Sequence, residues 1–181
     1  MGTPALTPEL VAQTCALVSQ YIKGHRAYYY PAAAALTATQ KAAMQGFFSE
    51  SVLDSARVVV LAGERVQNPH FYPFLAGLGF KNLPDFSLMA AITFCDVVVS
   101  HEPFSAGLLF HELVHAEQYR QLGLPRFAEL YVRGFLADGS YEGIPLEVNA
   151  YTLGARYEAK PTERFSVAKE VTTWIEEGRF E

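Results

Sequence analysis

The chain has 181 residues, half of them hydrophobic and 18% charged. That is enough length and apolar content for one buried core, and it excludes an intrinsically disordered segment. A formal charge of -5, with no basic run longer than two residues, excludes the clustered cations that nucleic-acid phosphates require.

In chain order, Thr7-Pro8-Glu9 supplies an N-cap, a proline for the first helical position and an acid for the helix dipole. Leu10, Val11, Thr14, Cys15, Leu17, Val18, Tyr21 and Ile22 then recur at helical spacing, and Gly24 is expected to stop the helix. His25 to Pro31 reads as an aromatic loop. A second helix is expected over about Ala38 to Leu53, with Met44, Phe47 and Phe48 facing inward. Arg57–Leu61 and the longer Ala91–Ser100 are rich in β-branched residues and read as strands, with a short helix and loops between Pro69 and Pro84. The remainder reads as helical: one helix closing at Gly123, then about Pro125–Ala137, Pro145–Glu158 and Ser166–Glu177.

This order predicts one α+β domain over 1–181. It divides into an N-terminal helical and β-hairpin-like region (1–90), a mainly helical core led by a small sheet (91–160) and a C-terminal docking helix (161–181). The docking stripe is Val167, Val171, Trp174 and Ile175. No apolar run reaches the roughly 18 to 20 residues that cross a bilayer. The opening MGTPALTPEL lacks the basic and apolar regions of a secretion signal, and Cys15 and Cys95 form no motif. A cytoplasmic location without membrane insertion is expected, with export by a route needing no such signal left open.

The stretch LLFHELVHAEQYR, residues 108–120, sets His111, Glu112 and His115 into an apolar helical run. Buried imidazoles and carboxylates need partners, because unpaired charge in an apolar setting costs several kcal/mol or is neutralised. Residues four apart share a helix face, so His111 and His115 aim at one point, with Glu112 about 100 degrees round the helix beside it. This is the HExxH arrangement: two ligands for a metal such as Zn²⁺, and a carboxylate able to take a proton from water. Chance produces the full pattern in a chain of this length about once in a hundred or less, whereas a single core histidine is usually satisfied by a carbonyl.

A third protein ligand is required. Gln118 and Gln121 stand where a metzincin would have Gly and His, which excludes that subclass. His101 could approach from the end of the long strand; Glu117 points away from the histidine face; Glu129 and Glu142 lie on the next helix and in the turn. Glu147, just inside the helix that Pro145 opens, would be kept ionised by the helix N-terminus. By residue type alone Glu147 divides evenly between ligand and solvent-facing carboxylate.

HELVH followed some thirty residues later by PLEVNAY resembles the gluzincin zinc metallopeptidases, in particular the minimal-scaffold minigluzincins and related bacterial peptidase domains. The likeness covers about Ala91 to Glu158. It implies a zincin-like fold, Zn²⁺ as cofactor, a peptide or protein as substrate and Glu147 as third ligand. Thermolysin-like members carry an aspartate one turn past that glutamate, hydrogen-bonded to a zinc histidine; Tyr151 stands there in this chain.

The expected chemistry is peptide hydrolysis with Glu112 as general base. Tyr151 is the leading oxyanion donor, with His101 and Arg156 behind it. A substrate could add as a strand along Ala91–Ser100 unless that strand is paired on both edges. Tyr28–Tyr30 with Phe71, Tyr72 and Phe74 fit a core better than a cleft lining. The alternative is a non-catalytic module in which zinc clamps helices together, and a fourth protein ligand from His101 would favour it.

Overall fold

The computed structural model describes residues 7–181; the first six, part of the stretch read for a secretion signal, lie outside it. The fold is α+β and mainly helical, with one four-stranded sheet. Among the described residues no helix is long and apolar enough to cross a membrane.

Helix α1 (Pro8–Tyr29) begins at Thr7, whose hydroxyl accepts from the Leu10 N–H. Gly24 does not end it, and the expected aromatic loop is helical as far as Tyr29. Packing explains the difference. Tyr21, His25 and Tyr29 follow at i, i+4, i+8 and lay their rings against Phe94, which outweighs the roughly 1 kcal/mol helix penalty of a glycine. Arg26 locks the same end to Asp96 through two hydrogen bonds. The helix expected over 38–53 is two, α2 (Ala38–Met44) and α3 (Glu50–Ser55). Gly46, at φ 85°, turns the chain between them, and Ser49 caps the second afresh.

Strands β1 (Ala34–Ala35), β2 (Arg57–Val60), β3 (Ala91–Phe94) and β4 (Val97–Ser100) pair in the order β1-β2-β4-β3. The run 91–100, expected as one long strand, is a hairpin that reverses at Cys95, a left-handed residue with φ 61°. Reversal lets β3 and β4 pair with each other while β4 also takes β2 in parallel through the crossover that holds α4 (Tyr72–Gly77). In the region before residue 90, expected to be hairpin-like, the described strands β1 and β2 do pair antiparallel, but α2 and α3 lie between them in place of a tight turn. β3 is a sheet edge.

Helix α5 (Ala106–Asp138) consists of two arms meeting at Gly123, whose φ 73°, ψ 158° only glycine adopts readily. Helix α6 (Pro145–Ala159) returns against it, with Pro145 in its first turn. Gly134 makes that contact possible: a Cβ there would stand 2.6 Å from the Pro145 ring. Helix α7 (Val167–Glu176) docks by Val167, Val171 and Trp174, each burial contributing about 1.5–3 kcal/mol. Phe180 folds onto Trp174 and Glu181 pairs with Arg126, so the C-terminal tail stays beside α7. One continuous core runs from Ile22 through Met44, Phe110 and Leu146 to Phe180.

Candidate metal centre

The first arm of α5 buries Leu109, Phe110, Leu113 and Val114. His111 and His115 come together at i, i+4, with ring centroids 4.9 Å apart. The tight approach of α6 at Gly134 and Pro145 carries Glu147 to the same point. His111 Nε2 and His115 Nε2 lie 3.2 Å apart, and Glu147 Oε2 lies 3.4 and 3.2 Å from them respectively. A tetrahedral ion with bonds of about 2.0 Å holds its ligand atoms about 3.3 Å from one another. Glu147 Oε2 is buried and, beyond its contacts with the two imidazoles, has no hydrogen-bond partner among the described residues. A buried carboxylate oxygen facing two imidazole nitrogens at tetrahedral spacing is an arrangement compatible with a bound cation. These three residues could hold a metal ion.

Without an ion, His115 and Glu147 stabilise each other's charge. Burial works against a charged His115, but the Glu147 carboxylate outweighs it and lifts the imidazole pKa to about 9. Burial would likewise raise Glu147, yet the His115 charge and both imidazole contacts hold it well below the usual carboxylate range.

Gln118 orients the site. Its carbonyl accepts from His115 Nδ1–H at 2.9 Å, leaving Nε2 for the centre. Its amide donates to Leu146 O and Asn149 Oδ1, each at 2.9 Å. One fully buried glutamine therefore ties His115 on α5 to the segment of α6 on either side of Glu147. A hydrogen bond to the far ring nitrogen is the usual way a ligand histidine is fixed.

Glu112 is buried, and its Oε2 accepts from the Thr93 hydroxyl at 2.7 Å. It lines a groove of about 430 Å³ between Met89–Ala91 and α6, which also reaches His111 and Tyr151. The Tyr151 ring is half exposed and stands 4.6 Å from that of His111. Burial, then the charges of Glu147 and Glu112, raise the Tyr151 phenol, so it stays a proton donor at neutral pH. Tyr141 lines the same groove. Burial and Glu147 push its phenol well above the ordinary value.

Two expected participants are elsewhere. His101 Nε2 accepts from the Val66 N–H at 3.0 Å and Nδ1 meets Met89 O at 2.6 Å, so both ring nitrogens are committed to loop backbone. Arg156 pairs with Glu170 at 2.8 Å and lies over the Phe165 ring, on the α7 side of α6. Glu117 pairs with Arg120, and Glu129 with Arg126 and Arg133. The tail 176–181 is not among the residues lining the groove.

Gln118, Thr93 and Tyr141 were not anticipated from sequence. For Gln118 a signal existed: three positions after His115 on one helix, it shares the histidine face. Thr93 and Tyr141 reach the site only through the tertiary fold. Comparison of the chain with protein-family models, with curated proteins and with solved structures gave no match.

Proposed function

We propose that this chain is a zinc-dependent peptidase of the gluzincin type. The observation that carries the reading is a triad of three ligand atoms among the described residues, at tetrahedral spacing, whose member His111 lines one groove together with Glu112. Two imidazoles and a carboxylate suit zinc better than a hard cation such as calcium or magnesium. Three ligands are what a catalytic zinc site uses, whereas a structural site closes with four. With His101 engaged by Val66 and Met89, the four-ligand clamp loses its fourth member.

When bound, zinc supplies Lewis acidity, making water a stronger acid and polarising a carbonyl. The chain supplies the rest. Glu112, steadied by Thr93, takes the proton from the attacking water and returns it to the leaving amine. Tyr151 and Tyr141 offer hydroxyls to the developing oxyanion from the α6 side and from the turn before it. Across the groove, Met89–Ala91 lead into β3, whose outer edge has no strand partner among the described residues, so an added peptide strand would meet it at the Ala91 end.

The test is Glu112→Gln. Zinc-loaded wild type should cleave an unfolded protein such as casein, while the variant keeps its zinc and loses activity by about a thousandfold or more. Equal rates would remove Glu112 from the reaction. An inactive, zinc-loaded wild type would favour the interaction-module alternative.

A further inference from the structure

We infer that the groove selects a cationic peptide, with Lys or Arg on both sides of the bond to be cut; this rests on the peptidase reading. The groove is longer than the space beside the metal centre. Its second stretch, of about 550 Å³, shares Met89, Tyr141 and Tyr151 with the first and continues past Asp85 and Glu142. The first stretch ends at Glu158. Among the described residues, no Lys or Arg lines either.

The two bases nearest Glu158 in sequence are engaged elsewhere. Arg156 and Lys160, the bases flanking Glu158 in sequence, turn to Glu170 and Glu163. Glu117, Glu129 and Asp96 all have arginine partners, while Glu142 and Glu158 have none among the described residues. The Glu158 carboxylate lies close to α5 at Gly107, where a Cβ would come 2.2 Å from its Oε1. The carboxylate therefore rests on the first turn of α5, where the helix dipole favours its charge. A divalent ion would offset Glu112 and Glu147, leaving Asp85, Glu142 and Glu158 to set the sign of the groove.

Distance then fixes where the substrate charges fall. Glu158 is three turns along α6 from Glu147, about 16 Å at 1.5 Å per residue, which an extended peptide covers in about five residues. At the other end Glu142 lies in the turn before α6, beside Tyr141. A basic residue about five positions from the scissile bond toward Glu158, or one reaching Glu142 on the other side, meets a carboxylate without an ion-pair partner among the described residues, and an acidic one meets repulsion.

The experiment uses the full chain loaded with zinc and three quenched fluorescent peptides with one apolar centre, flanked at both ends by Lys, Gln or Glu. Expected kcat/KM falls in the order Lys, Gln, Glu, with about tenfold between the extremes at low salt. The gap narrows as ionic strength rises from about 20 to about 300 mM, which shortens the Debye length. In Glu142→Gln/Glu158→Gln the Lys-to-Gln ratio collapses toward one, and in the control Glu176→Gln it does not. The same peptides are titrated by fluorescence anisotropy against zinc-loaded Glu112→Gln. Charge order in binding with no hydrolysis by wild type keeps the cation preference and removes the peptidase reading. Hydrolysis without charge order removes the preference and keeps the peptidase. Peptides that neither bind nor are cut in that order overturn the inference.

Discussion

Gln118 accepts from the ring nitrogen of His115 that faces away from the centre, and with its amide hydrogens it holds the backbone beside Glu147. Two candidate ligands on different helices are thus aligned by a single side chain. Gln118→Leu should lower zinc affinity by about 10- to 100-fold, the usual effect of losing such a partner. Gln118→Glu, which keeps the acceptor for Nδ1–H, should lose less. Competition with a chromophoric chelator measures both, and circular dichroism checks that each variant folds.

The reach of the sequence follows from where each constraint lies. His111, Glu112 and His115 sit within one helical turn and a half, so their meeting depends only on helix geometry. Glu147 was marked by Pro145, a local signal, though its approach to the histidines depends on Gly134, thirteen residues earlier in the chain. Thr93, by contrast, reaches Glu112 only because 91–100 folds into a hairpin, and nothing at Cys95-Asp96 advertised a turn. Gly24 and Gly46 illustrate the same limit. Both are helix breakers by propensity, yet α1 continues through the first on the strength of contacts with β3, while the second does break the chain. His101 looked like a ligand because its type fits one. Backbone groups of Val66 and Met89, unreadable from spacing, claim it instead.

The metal-free centre should show a defined pH dependence. His115 has its pKa raised from 6.5 to about 9, so its contribution to stability is fully present below 6.5 and is lost as pH rises through about 9. Glu147 is lowered from 4.5, so its contribution is present above 4.5 and is lost as pH falls toward its folded value. These two groups therefore stabilise the metal-free protein most between pH 4.5 and 6.5. Zinc requires neutral imidazole, so binding near pH 7 should release a proton, and apparent affinity should rise up to about tenfold per pH unit until about pH 9. Melting curves at pH 6 and 9 with and without zinc should move in opposite directions. Calorimetry in buffers of different ionisation enthalpy counts the proton.

Thr93 is a positioning residue for Glu112, since its hydroxyl spans the carboxylate Oε2 at 2.7 Å and the Glu112 carbonyl at 3.1 Å. Thr93→Val keeps the shape and deletes the donor. Zinc content should stay at wild-type level while kcat falls about tenfold and KM moves little, because the loss concerns proton transfer rather than substrate binding. A matching loss of zinc would show that Thr93 supports the fold of the whole site instead.

Gly24 and Gly134 are both helical glycines, and substituting each by alanine should have opposite effects. At exposed Gly24 a Cβ meets nothing within 4 Å, so Gly24→Ala should stabilise by roughly 0.5–1 kcal/mol through helix propensity alone. At Gly134 the same gain of roughly 1 kcal/mol opposes a Cβ 2.6 Å from Pro145 Cδ and 3.3 Å from Ile144 Cγ2. Overpacking of that kind typically costs about 1–3 kcal/mol, so the net effect should be destabilising. Relief by sliding α6 would displace Glu147, which lies two residues beyond Pro145. Gly134→Ala should therefore lower both the melting temperature and zinc affinity, while Gly24→Ala raises the first and leaves the second unchanged. Denaturant titration and zinc competition on the two variants decide it, and unaltered zinc binding in Gly134→Ala would mean that the α5–α6 contact does not set the position of the third ligand.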